Sequence, residues 1–133
     1  MGFGDAVKTC FSKFFVGEGR ASRPEYWWFF LAYIVLYAIA AAIDAALETG
    51  FVLAGIVGLV FFIPLITAAI RRLHDTGRSG WWYLIVFIPL VGFIILIVFL
   101  ATEGQPGQNE YGPPPGGAAM GGATPPPPPP APA

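Results

Sequence analysis

The chain has 133 residues, of which 56% are hydrophobic and 11% charged, and its mean hydropathy is +0.66. Soluble domains carry about 25% charged residues, so this composition argues against a water-soluble fold. Seven Lys and Arg against eight Asp and Glu leave no basic field for nucleic acid, and a single cysteine excludes an internal disulfide framework.

Residues 1–25 read as an amphipathic cytoplasmic arm. Phe3, Val7, Cys10, Phe11, Phe14 and Phe15 recur at helical spacing, while Lys8, Ser12 and Lys13 fall mainly elsewhere on the turn. Such a helix either lies in the membrane interface or packs against the rest of the protein.

Three charge-free apolar runs follow, at 26–43, 51–70 and 81–101. At 1.5 Å rise per residue, a run of about 20 residues spans a hydrocarbon core of roughly 30 Å. The fold expected is therefore all-α, an integral membrane three-helix bundle over 26–101 with spans at 26–47, 51–75 and 80–101. The first run starts too late and is too long for the core of a secretory signal peptide. Lys8, Lys13, Arg20 and Arg23 precede the first span, and Arg71, Arg72 and Arg78 lie between the second and third. Residues 44–50 and the chain from 102 onward hold no Lys or Arg. The positive-inside rule then predicts a cytoplasmic N-terminus and second loop, with the first loop and C-terminus external.

Within the spans, Ala38, Ala42 and Ala46 in the first and Ala54 and Gly58 in the second have the spacing that lets helix backbones approach, and are expected to pair. Pro64 and Pro89 have near-identical neighbours and are expected to bend their helices at similar depth. That bend either shapes a cavity or is a kink relieved by neighbouring helices. The runs hold no ionisable side chain, which argues against a coupled transporter or pump. Residues 102–133 are rich in Gly, Pro and Ala and include six successive prolines at 125–130. They are expected to be a disordered tail, serving as a spacer or as a polyproline ligand for an aromatic groove.

Two polar clusters flank the spans on the predicted cytoplasmic side. In the first, residues 19–28, Ser22 and Glu25 have capping-box spacing, Pro24 suits a first helical turn, and Tyr26, Trp27 and Trp28 suit the interfacial belt. Arg20 and Arg23 remain for phosphate headgroups or carboxylates. In the second, residues 71–82, Gly77 suits a left-handed helix stop, Ser79 a helix N-cap, and Arg71 and Arg72 can snorkel from the helix end. His74 and Asp75 have no such ready role.

These two clusters and the later 107–113 run, Gly-Gln-Asn-Glu-Tyr-Gly-Pro, occur in that order. Together they resemble the bacterial domain-of-unknown-function family 805 of small inner-membrane proteins, over roughly residues 8 to 115. The resemblance implies an inner-membrane location and a bundle of three spans. It implies no activity and no catalytic residues, and the proline-rich extension lies outside it.

Catalysis is not expected. Asp75 adjoins His74, but neighbouring helical residues point about 100° apart, so the carboxylate cannot orient that imidazole. One His and one Cys make no metal site, and no cofactor is expected. The expected role is a non-enzymatic structural or regulatory component. Glu25 and Asp75 would each pair with an arginine of the other cluster. The remaining members of Arg20, Arg23, Arg71, Arg72 and Arg78, with His74 alongside, would face anionic headgroups, a membrane-protein partner or a second copy. The alternatives are a subunit of a lipid or small-solute transport system, and an anchor recruiting a partner through the proline-rich tail.

Overall fold

The structure, a computed structural model, describes residues 1–115. It is all-helical: α1 Phe3–Ser12, α2 Arg23–Leu47, α3 Val52–Asp75, a 3-10 helix Gly80–Phe87 and α4 Val91–Ala101. Among the described residues the only β pairing is an isolated bridge between Asn109 and Gly112.

Local chemistry explains the boundaries. Ser22 Oγ accepts from Glu25 N at 3.2 Å, and Pro24 sits where a missing N–H costs little, so α2 starts as expected. The box is half-made, because the Glu25 carboxylate turns to Arg71 instead of back to Ser22. Gly77, at φ +81°, follows the end of α3, and Ser79 Oγ accepts from Trp81 N at 3.2 Å to start the 3-10 helix.

Helices α2 and α3 form an antiparallel pair, with α1 packed across both. Phe11 meets Phe29 and Phe61 at centroid distances of 5.2 and 5.1 Å, and Ala6 and Cys10 are buried. Of the two readings of the arm, packing against the bundle is the one observed for α1. The paired faces differ from the expected ones: Ala38, Ala42 and Ala46 are exposed, and the buried positions of α2 include Ala32, Ala40 and Asp44. Alanine is frequent all round this helix, so small-residue spacing alone did not identify the packed face. Ala54 is buried, while Gly58 is only partly so.

The third apolar run departs most from expectation, since it is not one helix. Gly80–Phe87 winds as a 3-10 helix, the chain turns at Pro89 and Leu90, and α4 runs back against it. Both ends of the hairpin lie together: Trp82 and Phe99 rings are 5.7 Å apart, and Arg78 stands 4.0 Å over the Phe99 ring. Gly92 permits this close return, because a Cβ there would sit 1.8 Å from the Ile85 carbonyl oxygen. Rises of 2.0 and 1.5 Å per residue make each arm roughly 16 Å long, about half a hydrocarbon core. The 25 and 24 residues of α2 and α3 give about 36 Å each, long enough to cross. Pro64 lies inside α3 and Pro89 at the hairpin turn, so they are not two matching kinks.

Residues 102–115 also differ from a passive tail. They fold back onto the end of α3, joined by Gln105 N to Asp75 O at 2.8 Å. Residues 116–133, including the six prolines, lie outside the described residues.

The surface distribution is inverted relative to a soluble protein. Arg71 and Arg72 are fully buried, whereas Leu59, Phe87 and Leu90 are each more than 70% exposed. An apolar surface of this kind suits a hydrocarbon environment.

Candidate functional site: the arginine clasp

The end of α3 carries four carbonyls that its own helix cannot satisfy. The turn that follows and the 102–115 segment supply donors to three of them. Asn109 Nδ2 donates to His74 O at 2.9 Å, and Gln105 N donates to Asp75 O. Arg78 N and Thr76 N both donate to Leu73 O. One turn earlier, Ala21 N reaches Arg71 O at 3.0 Å, joining the chain before α2 to α3.

Asp75 is the centre of the cluster. Arg20 Nε donates to Asp75 Oδ1 at 2.9 Å, and Arg72 Nη1 to Asp75 Oδ2 at 2.6 Å. Two guanidinium groups thus share one carboxylate, and main-chain carbonyls take the remaining donors. Arg72 Nε reaches Leu100 O at 2.9 Å, Nη1 reaches Ala21 O at 3.2 Å, and Nη2 bonds Thr102 O. Arg20 Nη1 reaches Gly107 O at 2.7 Å and Gly112 O at 3.2 Å, and its Nη2 reaches Gln105 O. The planar five-donor guanidinium suits such a task, which a lysine ammonium could not perform.

A second pair lies under α1. Arg71 Nη1 bonds Glu25 Oε2, and Nη2 donates to Cys10 Sγ at 3.9 Å, leaving Nε the one buried side-chain polar atom without a partner among the described residues. Burial, with a smaller contribution from the Glu25 carboxylate, pushes the Cys10 thiol up to about 11. The thiol itself donates to Glu25 O at 3.8 Å.

His74 lies on the rim. Its Nδ1 is 3.0 Å from Gly19 O, and its ring stacks on Tyr111 at 3.9 Å with the planes 1° apart. A tight turn presents Tyr111: Asn109 and Gly112 exchange backbone hydrogen bonds, and Asn109 Oδ1 accepts from Tyr111 N at 2.8 Å. Desolvation and the adjacent Glu110 raise the Tyr111 phenol above its ordinary value.

The cross-cluster ion pairs read from the sequence are present as Glu25 with Arg71 and Asp75 with Arg20. Arg71 and Arg72 do not snorkel; both point inward and are fully buried. Arg23 is exposed and makes no ion pair among the described residues, and Arg78 rests on Phe99. Cys10, Gly104, Gln105, Asn109 and Tyr111 were missed as members of the site. The signal for the last two was the 107–113 run, whose composition looks like a linker.

No solved structure matches the chain. Among curated proteins, it is 42% identical over 109 residues to "Inner membrane protein YhaH" of Escherichia coli K12, covering 76% of this chain and 88% of that protein. It is 46% identical over 103 residues to "Inner membrane protein YhaI" of the same organism, covering 75% and 86% respectively. The family model described as "Protein of unknown function (DUF805)" matches residues 14–113, which takes in α2, α3, the hairpin and the Arg20–Asp75–Tyr111 cluster. The chain belongs to the DUF805 family.

Proposed function

We propose that the chain is a non-enzymatic structural or regulatory component of the bacterial inner membrane. In this reading α2 and α3 cross the bilayer, and the 80–101 hairpin enters from the arginine end and returns to it. The arm, the 76–79 turn and residues 102–115 are then all cytoplasmic, which reverses the external C-terminus expected from the sequence because the 80–101 run is two short arms instead of one crossing helix. All seven cations belong to the arm or to the α3 end of the chain, and the opposite turn at 48–51 has none, which supports that orientation.

One observation carries the functional part. Arg20, Arg71 and Arg72 are engaged by acids and carbonyls of their own chain, as a latch would be. A stable clasp that holds a cytoplasmic surface in place is the role that arrangement serves. Anionic headgroups are left to the exposed cations. Two measurements test the reading. Asp75→Ala and Arg72→Ala are expected to lower expression and the detergent melting temperature; unchanged values in both would remove the latch. A fluorescent reporter fused to the C-terminus is expected to be active in the cytoplasm, and an active periplasmic phosphatase fusion would reverse the topology.

A second reading is an anchor for residues 116–133. It draws support from the clasp, which ties the preceding segment to the same end as the arm. Deleting 116–133 should then leave melting unchanged while abolishing the phenotype that the full chain complements.

A further inference from the structure

Most of the cations at the clasp end are internally satisfied, which singles out Arg23. It lines a groove of about 470 Å3 with Pro24, Trp27, Trp28 and Leu31 on the outer face of α2. Leu31 is also in the wall of a second cleft of about 590 Å3 between α2 and α3, roofed by Phe3, Val7 and Phe11 of α1. Val35 continues the wall from α2, and Val60 faces it from α3. Phe3 packs edge-on to Trp28 at 5.9 Å, so α1 closes over the cleft near Trp28. The two volumes fall within the roughly 300–1,000 Å3 typical of small-molecule sites. A cation in one groove and an apolar cleft beside it, with Leu31 in the wall of both, have the polarity of an amphiphile with an anionic head.

We propose that these two adjoining pockets, which share Leu31, bind one anionic phospholipid, its phosphate on the Arg23 guanidinium and an acyl chain passing Leu31 into the cleft beneath α1. Charge complementarity selects the occupant. Arg23 makes no ion pair among the described residues and stands at the first turn of α2, where the helix dipole adds to its positive potential. Glu103 shares a neighbouring depression with Arg23 on its clasp side without forming an ion pair, and it disfavours an anion there. Two aromatic residues, Trp27 and Trp28, stand at the level where head and chain meet. Trp27 is held by its Nε1 donating to Leu100 O at 3.2 Å. The proposal rests on the membrane reading above, but its test in detergent does not depend on which face is cytoplasmic.

The test is native mass spectrometry of the full chain in mild detergent, titrated separately with phosphatidylglycerol and phosphatidylcholine. One phosphatidylglycerol is expected to stay bound under conditions that strip phosphatidylcholine. Arg23→Gln should weaken that adduct about tenfold, the worth of one charge-assisted hydrogen bond, while Arg23→Lys keeps most of it. Val35→Trp should fill the cleft and remove the adduct at unchanged melting temperature. Equal retention of the two lipids, or full retention by Arg23→Gln, would overturn the proposal. So would a lipid-free dimer that Val35→Trp dissociates, because a second copy would then occupy the cleft.

Discussion

Arg20 and Asp75, 55 positions apart, form a buried ion pair with Arg20 Nε 2.9 Å from Asp75 Oδ1. The pair joins the segment before α2 to the end of α3. Because Arg72 bonds the other oxygen of the same carboxylate, removing that one acid strands two buried cations. Asp75→Asn is therefore expected to cost about 3–5 kcal/mol, and Arg20→Gln less, because glutamine keeps part of the carbonyl bonding. Thermal melting in one fixed detergent measures both. A double-mutant cycle between the two positions should give a coupling of about 1–3 kcal/mol, and strict additivity would contradict the pairing.

The cluster's membership was only partly legible in the sequence, and the reasons are physical. Ion pairing between Glu25, Asp75 and the arginines could be inferred because acids and cations gathered beside apolar helices must find partners. Which arginine took which acid depended on the crossing of α2 and α3, and local spacing says nothing about that. The 81–101 run reads as a single span because hydropathy measures length, and 21 apolar residues suffice for one. Pro89 before Leu90, at φ +61°, breaks the run into two half-length arms, and its near-identity with the Pro64 setting concealed the difference. Residues 102–115 looked like linker because most of their bonds to the clasp use backbone groups, which every residue possesses. Gly, Asn and Pro in that stretch mark turns as well as they mark flexibility.

Gly104 should be the most sensitive position of this return segment. A Cβ there would stand 1.9 Å from Asp75 Oδ2, so even alanine displaces either the segment or the carboxylate. At Gly107 a Cβ meets nothing within 4 Å. Gly104→Ala is expected to destabilise the protein by about 1–3 kcal/mol and to expose residues 102–115 to protease, as overpacking does. Gly107→Ala should stay within about 0.5 kcal/mol of the parent. Limited proteolysis followed by mass measurement of the C-terminal fragments distinguishes them; equal cleavage would show that the segment is not seated on Asp75.

Cys10 makes the α1 contact dependent on pH at the alkaline end. Burial raises its thiol from an ordinary value of 9.0 to about 11, so the folded chain holds that proton more tightly than the unfolded chain. The stabilisation is complete below about pH 9 and is lost as the pH rises through 11. The parent should lose more stability between pH 9 and 11 than Cys10→Ala does. Melting of the two chains across that interval measures the difference, and parallel curves would count against a buried thiol. At pH 8 a water-soluble maleimide should leave the folded Cys10 unmodified and label it only after denaturation.

Asp44, at the opposite end of the helix pair, performs a capping role between helices. Phe51 at the α3 N-cap offers no side-chain acceptor, yet Asp44 Oδ1 accepts from Leu53 N at 3.1 Å and Oδ2 from Ala54 N at 2.9 Å. Thr49 Oγ1 adds a third bond at 2.7 Å, so a carboxylate from α2 closes the turn and satisfies the first N–H groups of α3. An N-cap is worth about 0.5–2 kcal/mol in water, and here the unsatisfied Ala54 donor would be buried, which sets the cost of Asp44→Ala toward the upper figure. Asp44→Asn keeps one acceptor oxygen and should lose roughly half as much. Hydrogen exchange provides the local readout: the amides of Leu53 and Ala54 should exchange faster in Asp44→Ala while those near Asp75 are unchanged. Uniform acceleration along α3 would mean that Asp44 supports global stability and not the helix start.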